Sequence, residues 1–121
     1  MSKKQILLVD GDITYSERLK QNLEADQYTV DVAYKGNDAI RILENKWVDL
    51  IISSIDLQGG MNGIQLLQEL KNHKDFYKIP IIIHTSKTSM ESIVNHLGAE
   101  LFLIKPYNIN DLIKKIKDIL Q

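Results

Sequence analysis

The chain has 121 residues and a mass of 13.9 kDa, which fits one compact domain over residues 1–121. Its formal net charge of -1 lacks the basic excess expected of proteins that bind nucleic-acid phosphates or anionic membranes. The absence of cysteine excludes disulfide frameworks, thiolate zinc sites and cysteine nucleophiles. No apolar run approaches the roughly 18 residues of a membrane span, so we expect a cytoplasmic protein.

Short aliphatic runs alternate along the chain with stretches of helical spacing. The runs are apolar at consecutive positions, which is typical of parallel strands that helices cover on both faces. They are Ile6–Val9, Val30–Ala33, Leu50–Ile52, Ile81–Ile83 and Leu101–Ile104. After each run, apolar residues recur every three or four positions, as on one face of a helix. This order predicts an α/β fold, a five-stranded parallel sheet with helices on both sides.

Polar residues follow four of the five predicted strands. They are Asp10-Gly11-Asp12, Ser53-Ser54 with Asp56 just beyond, Thr85-Ser86, and Lys105-Pro106. In open α/β sheets, ligands bind beyond the carboxyl ends of the strands, near the switch point in strand order. The sequence therefore predicts a functional site at this end of the sheet.

Over essentially its whole length, the chain resembles the receiver domain of two-component response regulators, the CheY-like family. Ile6–Asp12 resembles the family's first strand with its acidic end, and Asp49–Gly63 resembles its third strand and the following loop. Thr85, Phe102 and Lys105 match the family's Thr or Ser, its switching aromatic and its lysine. The resemblance implies a flavodoxin-like sheet of order 2-1-3-4-5 and a signalling role in a phosphorelay rather than an enzymatic one.

Two positions depart from the family pattern. Ser54 stands where the family has its phosphoacceptor aspartate, and Gly11 replaces the second acid of the first strand. Asp10 then remains as the one assured charged ligand for Mg²⁺, which is usually anchored by carboxylates. A serine hydroxyl needs a general base to become a nucleophile, and the sequence predicts no histidine placed for this task. We therefore expect a phosphorylation-deficient receiver that needs no cofactor.

The remaining charges predict a neutral pair at the site. Lys105 at a buried strand end needs a partner, and Asp10 is the available carboxylate. Such a pair can hold together without metal, whereas three carboxylates facing one lysine favour a divalent cation. We expect the Ser54 hydroxyl to bond to a neighbouring backbone group or to Lys105, and Thr85 to make a static hydrogen bond.

Two alternative functions remain open. A working phospho-switch could use Ser54 or Asp56 with a rebuilt Mg²⁺ site, for which Asp10, Asp12 and Asp56 are weak candidate ligands. Asp56 would lie about 6–7 Å beyond Ser54 along an extended strand, out of reach of Asp10 and Lys105. A small flavodoxin-like binder or enzyme is the third possibility. The chain lacks a flavin phosphate loop rich in Ser, Thr and Gly after the first strand.

The resemblance also implies where partners bind. Signalling partners, a histidine kinase or a downstream effector, are expected to contact the region Ser89–Leu120, which holds the fourth helix, fifth strand and fifth helix. Neither nucleic acid nor a membrane is expected to bind.

Two further residues carry structural predictions. Because strand side chains alternate, His84 is expected on the sheet face opposite Thr85 and away from the site, as a core histidine with satisfied hydrogen bonds. Trp47 is assigned to the core or to helix–sheet packing.

Overall fold

The computed structural model describes residues 3–121. Strands and helices alternate over these residues, with a short 3₁₀ turn at Thr88–Met90 before the fourth helix. The elements are β1 (Gln5–Val9), α1 (Ile13–Ala25), β2 (Thr29–Ala33), α2 (Gly36–Asn45), β3 (Leu50–Ser54), α3 (Gly63–Lys71), β4 (Ile81–Thr85), α4 (Glu91–His96), β5 (Leu101–Ile104) and α5 (Ile109–Leu120). No helix within residues 3–121 has both the length and the apolar character needed to cross a membrane.

The strands form one parallel sheet of order β2-β1-β3-β4-β5, which confirms the predicted flavodoxin-like fold. In the register, Val9 lies beside Ser53 and Ser54 lies beside His84. The carboxyl ends of β1, β3 and β4 therefore meet at the same end of the sheet, which we call the carboxyl end. The Lys105–Pro106 peptide bond that follows β5 is cis.

The sheet separates two apolar clusters because successive strand residues point to opposite faces. Ile51 and Ile83 belong to the cluster that packs against α2, α3 and α4. Ile52 and Ile82 belong to the cluster that packs against α1 and α5. Continuing this alternation, Ser54 and His84 point to the α1–α5 face, while Thr85 points to the other face.

The prediction that Trp47 is a core residue is wrong. Its side chain is 75% exposed, and its Nε1 donates a hydrogen bond to Asp49 Oδ1 at 2.7 Å. Trp47 lies four residues after the buried Leu43, so helical spacing alone places both on one face. However, α2 ends at Asn45, and Trp47 belongs to the loop that leads into β3.

Gly63 allows the loop after β3 to return against that strand. Its N–H donates to the carbonyl oxygen of Ile55 at 2.8 Å. A Cβ atom added at Gly63 would overlap the Ser54 carbonyl group and would lie 2.7 Å from Ile55 Cα. These are backbone atoms, which cannot swing aside as a flexible side chain can. The backbone conformation at the end of β3 therefore depends on glycine at this position.

We expect Gly63→Ala to lower the free energy of unfolding by about 1–3 kcal/mol, the usual cost of overpacking. Gly60→Ala, in the same loop, is the matched control, because an added Cβ there meets nothing within 4 Å. Its effect should stay within about 0.5 kcal/mol. Urea denaturation of the three proteins measures both values, and equal effects of the two substitutions would contradict the close contact.

Candidate functional site

Asp10 is the centre of the polar residues at the carboxyl end of the sheet. It directly follows β1 and is 1% exposed. Its Oδ2 lies 2.8 Å from Lys105 Nζ and 3.0 Å from His84 Nε2, and its Oδ1 accepts from the Asp12 N–H at 3.0 Å. The predicted pair of Asp10 and Lys105 is therefore present, and both carboxylate oxygens are occupied.

His84 lies inside this site, so the prediction that it points away from the site is wrong. Asp10 lies on the α1–α5 side of the sheet, the face to which His84 also points, whereas Thr85 points to the opposite face. The prediction that no histidine lies near Ser54 is also wrong, because His84 is paired with Ser54 in the β3–β4 register. The prediction of a core histidine with satisfied hydrogen bonds is confirmed, since His84 is fully buried and both ring nitrogens have partners.

Two tyrosines that the sequence analysis did not identify complete the cluster. His84 Nδ1 lies 2.7 Å from the Tyr107 hydroxyl oxygen. Because the ionised Asp10 can only accept, His84 Nε2 carries the hydrogen, and in a neutral ring Nδ1 then accepts from Tyr107. Tyr15 covers the cluster from α1, with Lys105 Nζ 4.2 Å from its ring centroid in a cation–π contact. The only sequence signal for Tyr107 was its position directly after Lys105-Pro106.

The protonation states follow from burial and from these contacts. Burial raises the pKa of Asp10, but hydrogen bonds from His84 and Lys105 outweigh burial, so the pKa lies below its ordinary value. Burial lowers the pKa of His84; the hydrogen bond to Asp10 opposes this shift only in part, and the charge of Lys105 adds to it. Burial also raises the pKa of Tyr107, so its hydroxyl stays protonated. The cluster thus combines one anion, one cation and a neutral histidine.

The other residues matched to the family lie around this cluster without joining it. Ser54 is buried at the end of β3, and its Oγ accepts from the Asp56 N–H at 3.2 Å. The Thr85 Oγ1 accepts from the Lys87 N–H at 3.1 Å. Phe102 in β5 is half-buried and packs against the cluster on the α2–α3–α4 side. Thr85 and Phe102 are therefore separated from Asp10 by the sheet.

The two weaker candidate ligands have other partners. Asp12 is the N-cap of α1, and its side chain accepts from the Tyr15 N–H at 3.0 Å. Asp56 Oδ1 lies 2.9 Å from Lys87 Nζ in an exposed salt bridge. Across residues 3–121, no group of three or more His, Asp or Glu side chains is arranged to hold a metal ion.

Gly11 brings the loop after β3 close to the turn after β1. Its N–H donates to the Asp56 carbonyl oxygen at 3.2 Å, and the Gln58 side chain donates to the Gly11 carbonyl oxygen at 2.9 Å. A Cβ atom added at Gly11 would lie only 3.0 Å from the same Asp56 oxygen. A carboxylate at this position would therefore require the loop to move outward.

We expect acid to destabilise the protein through His84. The unfolded chain binds a proton at His84 near its ordinary pKa of 6.5, whereas burial holds the pKa of His84 lower in the folded protein. The stability that neutral His84 provides is therefore present above pH 6.5 and is lost as the pH falls towards the folded-state pKa. From about pH 7.5 to about pH 5.5, the expected loss in free energy of unfolding is about 1 kcal/mol.

His84→Gln is the matched control, because its amide N–H can still donate to Asp10 while the side chain does not titrate. Urea denaturation of both proteins at the two pH values gives the comparison. A loss in the variant as large as that in the wild type would contradict the assignment to His84.

Comparison with known proteins identifies the family. A family model described as the response regulator receiver domain matches residues 6–117. The chain is similar to the chemotaxis response regulator CheY4 of Vibrio cholerae, with 25% identity, a TM-score of 0.89, and coverage of 98% of this chain and 100% of that one. It is also similar to a CheY-like receiver domain protein of Methanospirillum hungatei, with 32% identity, a TM-score of 0.87, and coverage of 98% and 94%.

A third similar structure is that of the response regulator TrrA of Thermotoga maritima. It has 28% identity and a TM-score of 0.86, with coverage of 97% of this chain and 99% of that one. The family match spans most of the chain, and the three structures share its fold over nearly their whole lengths. This chain belongs to the response regulator receiver domain family, whose members are signalling modules of two-component systems.

Proposed function

We propose that this receiver domain is phosphorylation-deficient and acts in two-component signalling through protein–protein interaction alone. The observation that carries the proposal is the occupation of both Asp10 oxygens, by Lys105 and His84 on one side and by the Asp12 N–H on the other. These donors already satisfy the carboxylate that a receiver offers to a metal ion. A domain in this state has no need of a ligand at the carboxyl end of its sheet.

The residues present do not fit Mg²⁺, which the TrrA structure holds together with BeF. Magnesium requires near-octahedral oxygen ligands and is usually anchored by one or two carboxylates. Here Asp10 is already bonded, Gly11 supplies no carboxylate, and the Asp56 carbonyl oxygen accepts the Gly11 N–H. The Asp56 carboxylate is paired with Lys87. An ion bound at Asp10 would therefore lie beside the Lys105 ammonium that already pairs with this carboxylate, and the two positive charges would repel each other.

Ser54 is a poor phosphoacceptor for a separate reason. Its neutral hydroxyl would need a general base, and the adjacent His84 is the nearest candidate by strand register. Both nitrogens of His84 are committed, one to Asp10 and the other to Tyr107. The Ser54 oxygen itself accepts the Asp56 N–H. The geometry therefore supports a structural role for Ser54.

A domain that is not phosphorylated has no phosphorylated state to switch to. We therefore expect its partners to bind a surface whose conformation does not change. We assign this role to the region Ser89–Leu120, with a histidine kinase or a downstream effector as the partner. Ile93 in α4 and Ile104 in β5 expose large apolar side chains in this region, and Phe102 in β5 is half-buried. A partner that covers this region would remove these apolar side chains from water.

Treatment with acetyl phosphate and Mg²⁺ tests the phosphorylation deficiency. We expect intact-protein mass spectrometry to show no gain of one phosphoryl group, while a receiver that has the acceptor aspartate gains it in parallel. A stoichiometric adduct on this chain would overturn the proposal. The variants Ser54→Ala and Asp56→Asn would then show whether the adduct is at either of the two alternative acceptors.

Calorimetric titration with Mg²⁺ tests the metal site independently of phosphorylation. We expect no saturable binding at millimolar Mg²⁺, because Asp10 is already paired with Lys105 and no group of three or more acidic or histidine side chains within residues 3–121 is arranged to hold a metal ion. The alternative of a phospho-switch predicts binding that disappears in Asp10→Ala. Since that variant leaves the Lys105 charge without its partner, Asp10→Asn serves as a milder substitution for the same comparison.

A further inference from the structure

The dipeptide Asn62-Gly63 connects the loop after β3 to α3, and it is the one place in the chain where glycine follows asparagine. In such a pair, the glycine nitrogen can attack the amide carbon of the asparagine side chain. Glycine has no side chain to hinder this approach, and its backbone turns readily into the required conformation. Asn62 is also exposed, so water can reach its side chain. Of the asparagines in the chain, Asn62 is therefore the one whose sequence most favours deamidation.

The fold requires the glycine that makes Asn62 labile. Gly63 is buried, and a Cβ atom at this position would overlap the Ser54 carbonyl group. A larger residue, which would slow the attack on Asn62, is therefore not accommodated. Asn62 is itself the N-cap of α3, a position at which only a few short polar side chains are favourable. The reactive pair is thus a consequence of how the loop joins the helix.

Deamidation of Asn62 proceeds through a cyclic imide. The Gly63 nitrogen loses its proton to hydroxide and attacks Asn62 Cγ, the bond from Cγ to Nδ2 breaks, and ammonia leaves with a proton taken from water. A water molecule then opens the imide at one of its two carbonyl groups. One opening gives aspartate, and the other gives isoaspartate, in which the backbone passes through the former side-chain carboxyl carbon.

The closed structure opposes the first step of this reaction. The Gly63 N–H donates to the Ile55 carbonyl oxygen at 2.8 Å, so its proton is not free to leave. Asn62 Oδ1 accepts from the Gln65 N–H at 2.9 Å, which directs the side chain towards the helix. The Gln65 side chain in turn accepts the Asn62 N–H at 2.9 Å. Both reacting groups are therefore held by other partners, and the imide can form only after these bonds open.

We propose that Asn62 is a deamidation site whose reaction is controlled by local opening at the start of α3. Opening here means loss of the bond from Gly63 to Ile55 and of the reciprocal bonds between Asn62 and Gln65, while the sheet and the other helices stay folded. The two bonds between Asn62 and Gln65 are exposed to solvent, and such bonds at a helix terminus open at low cost in free energy. The site is independent of the proposed phosphorylation deficiency.

The two products affect the fold differently. Aspartate at position 62 keeps a capping oxygen and places a negative charge at the start of α3, where the helix dipole favours it. Isoaspartate lengthens the backbone by one carbon between residues 62 and 63, which displaces Gly63 from its close contact with the Ser54 carbonyl group. Because Ser54 is the last residue of β3, this product disturbs the carboxyl end of the sheet.

Incubation of the full chain in mildly alkaline buffer, followed by tryptic digestion and mass spectrometry, tests the proposal. The tryptic peptide from Trp47 to Lys71 contains Asn62 and no other asparagine, and fragmentation of this peptide locates the conversion of amide to acid. We expect the folded chain to react at least about tenfold more slowly than the same chain unfolded in guanidinium chloride, because the open state is a minor population.

Matched variants separate local opening from global unfolding. Gln65→Ala removes the acceptor of the Asn62 N–H and should speed deamidation about fivefold, the effect of one lost hydrogen bond. Gln68→Ala changes an exposed side chain of the same helix outside the cap and should leave the rate unchanged. Ile116→Val shortens a fully buried side chain in α5, which destabilises the whole fold without touching the cap, and should also leave the rate unchanged.

Four outcomes would overturn the proposal. Equal rates in the folded and unfolded chain would show that the closed cap gives no protection, and an unreacted Asn62 in the unfolded chain would remove the site. Equal rates for Gln65→Ala and Gln68→Ala would exclude opening of the cap. Acceleration by Ile116→Val as large as that by Gln65→Ala would assign the reaction to global unfolding. None of these measurements involves a phosphodonor or Mg²⁺, so this proposal and the proposed function can fail separately.

Discussion

The negative charge of Asp10, buried at the carboxyl end of the sheet, determines how the surrounding residues are arranged. A carboxylate removed from water is costly unless donors replace its hydration. Asp10 receives one donor from each of three places: Lys105 after β5, His84 in β4, and the Asp12 backbone in the turn before α1. The same charge therefore holds together segments that are far apart in the sequence. Tyr107 extends this connection to the start of α5 through His84.

Because His84 is neutral, the charges in this cluster balance: Asp10 carries the one negative charge and Lys105 the one positive charge. A neutral ring gives Asp10 a hydrogen bond without adding a second positive charge beside Lys105, whose charge helps to lower the pKa of His84. Ser54 and Gly11 carry no charge, so the Asp10–Lys105 pair is neutral by itself. The missing side chain at Gly11 also lets the loop after β3 approach, so that the Asp56 carbonyl oxygen is bonded as well.

Most of the fold could be predicted because aliphatic runs and helical spacing are local signals. The Asp10–Lys105 contact could also be predicted, since parallel strands bring their carboxyl ends together whatever their exact register. The position of His84 was predicted wrongly because the site was expected on the sheet face of Thr85, whereas Asp10 continues the alternation of Leu8 and lies on the α1–α5 side. Trp47 was misplaced because its spacing from Leu43 is helical, whereas α2 stops at Asn45. The Gly11 contact depends on a loop conformation that no local pattern encodes.

The two sheet faces divide the residues at the carboxyl end of the sheet into two groups. Thr85 and Phe102 lie on the α2–α3–α4 side, whereas Asp10 and its donors His84 and Lys105 form a cluster on the α1–α5 side. Within residues 3–121, no side-chain hydrogen bond joins Thr85 to this cluster; its hydroxyl bonds to the Lys87 backbone instead. A change at Asp10 can reach the start of α5 through His84 and Tyr107, which lie on the same side of the sheet. To reach Thr85 or Phe102, the same change would have to cross a sheet of fully buried aliphatic side chains, and such close-packed layers resist small displacements.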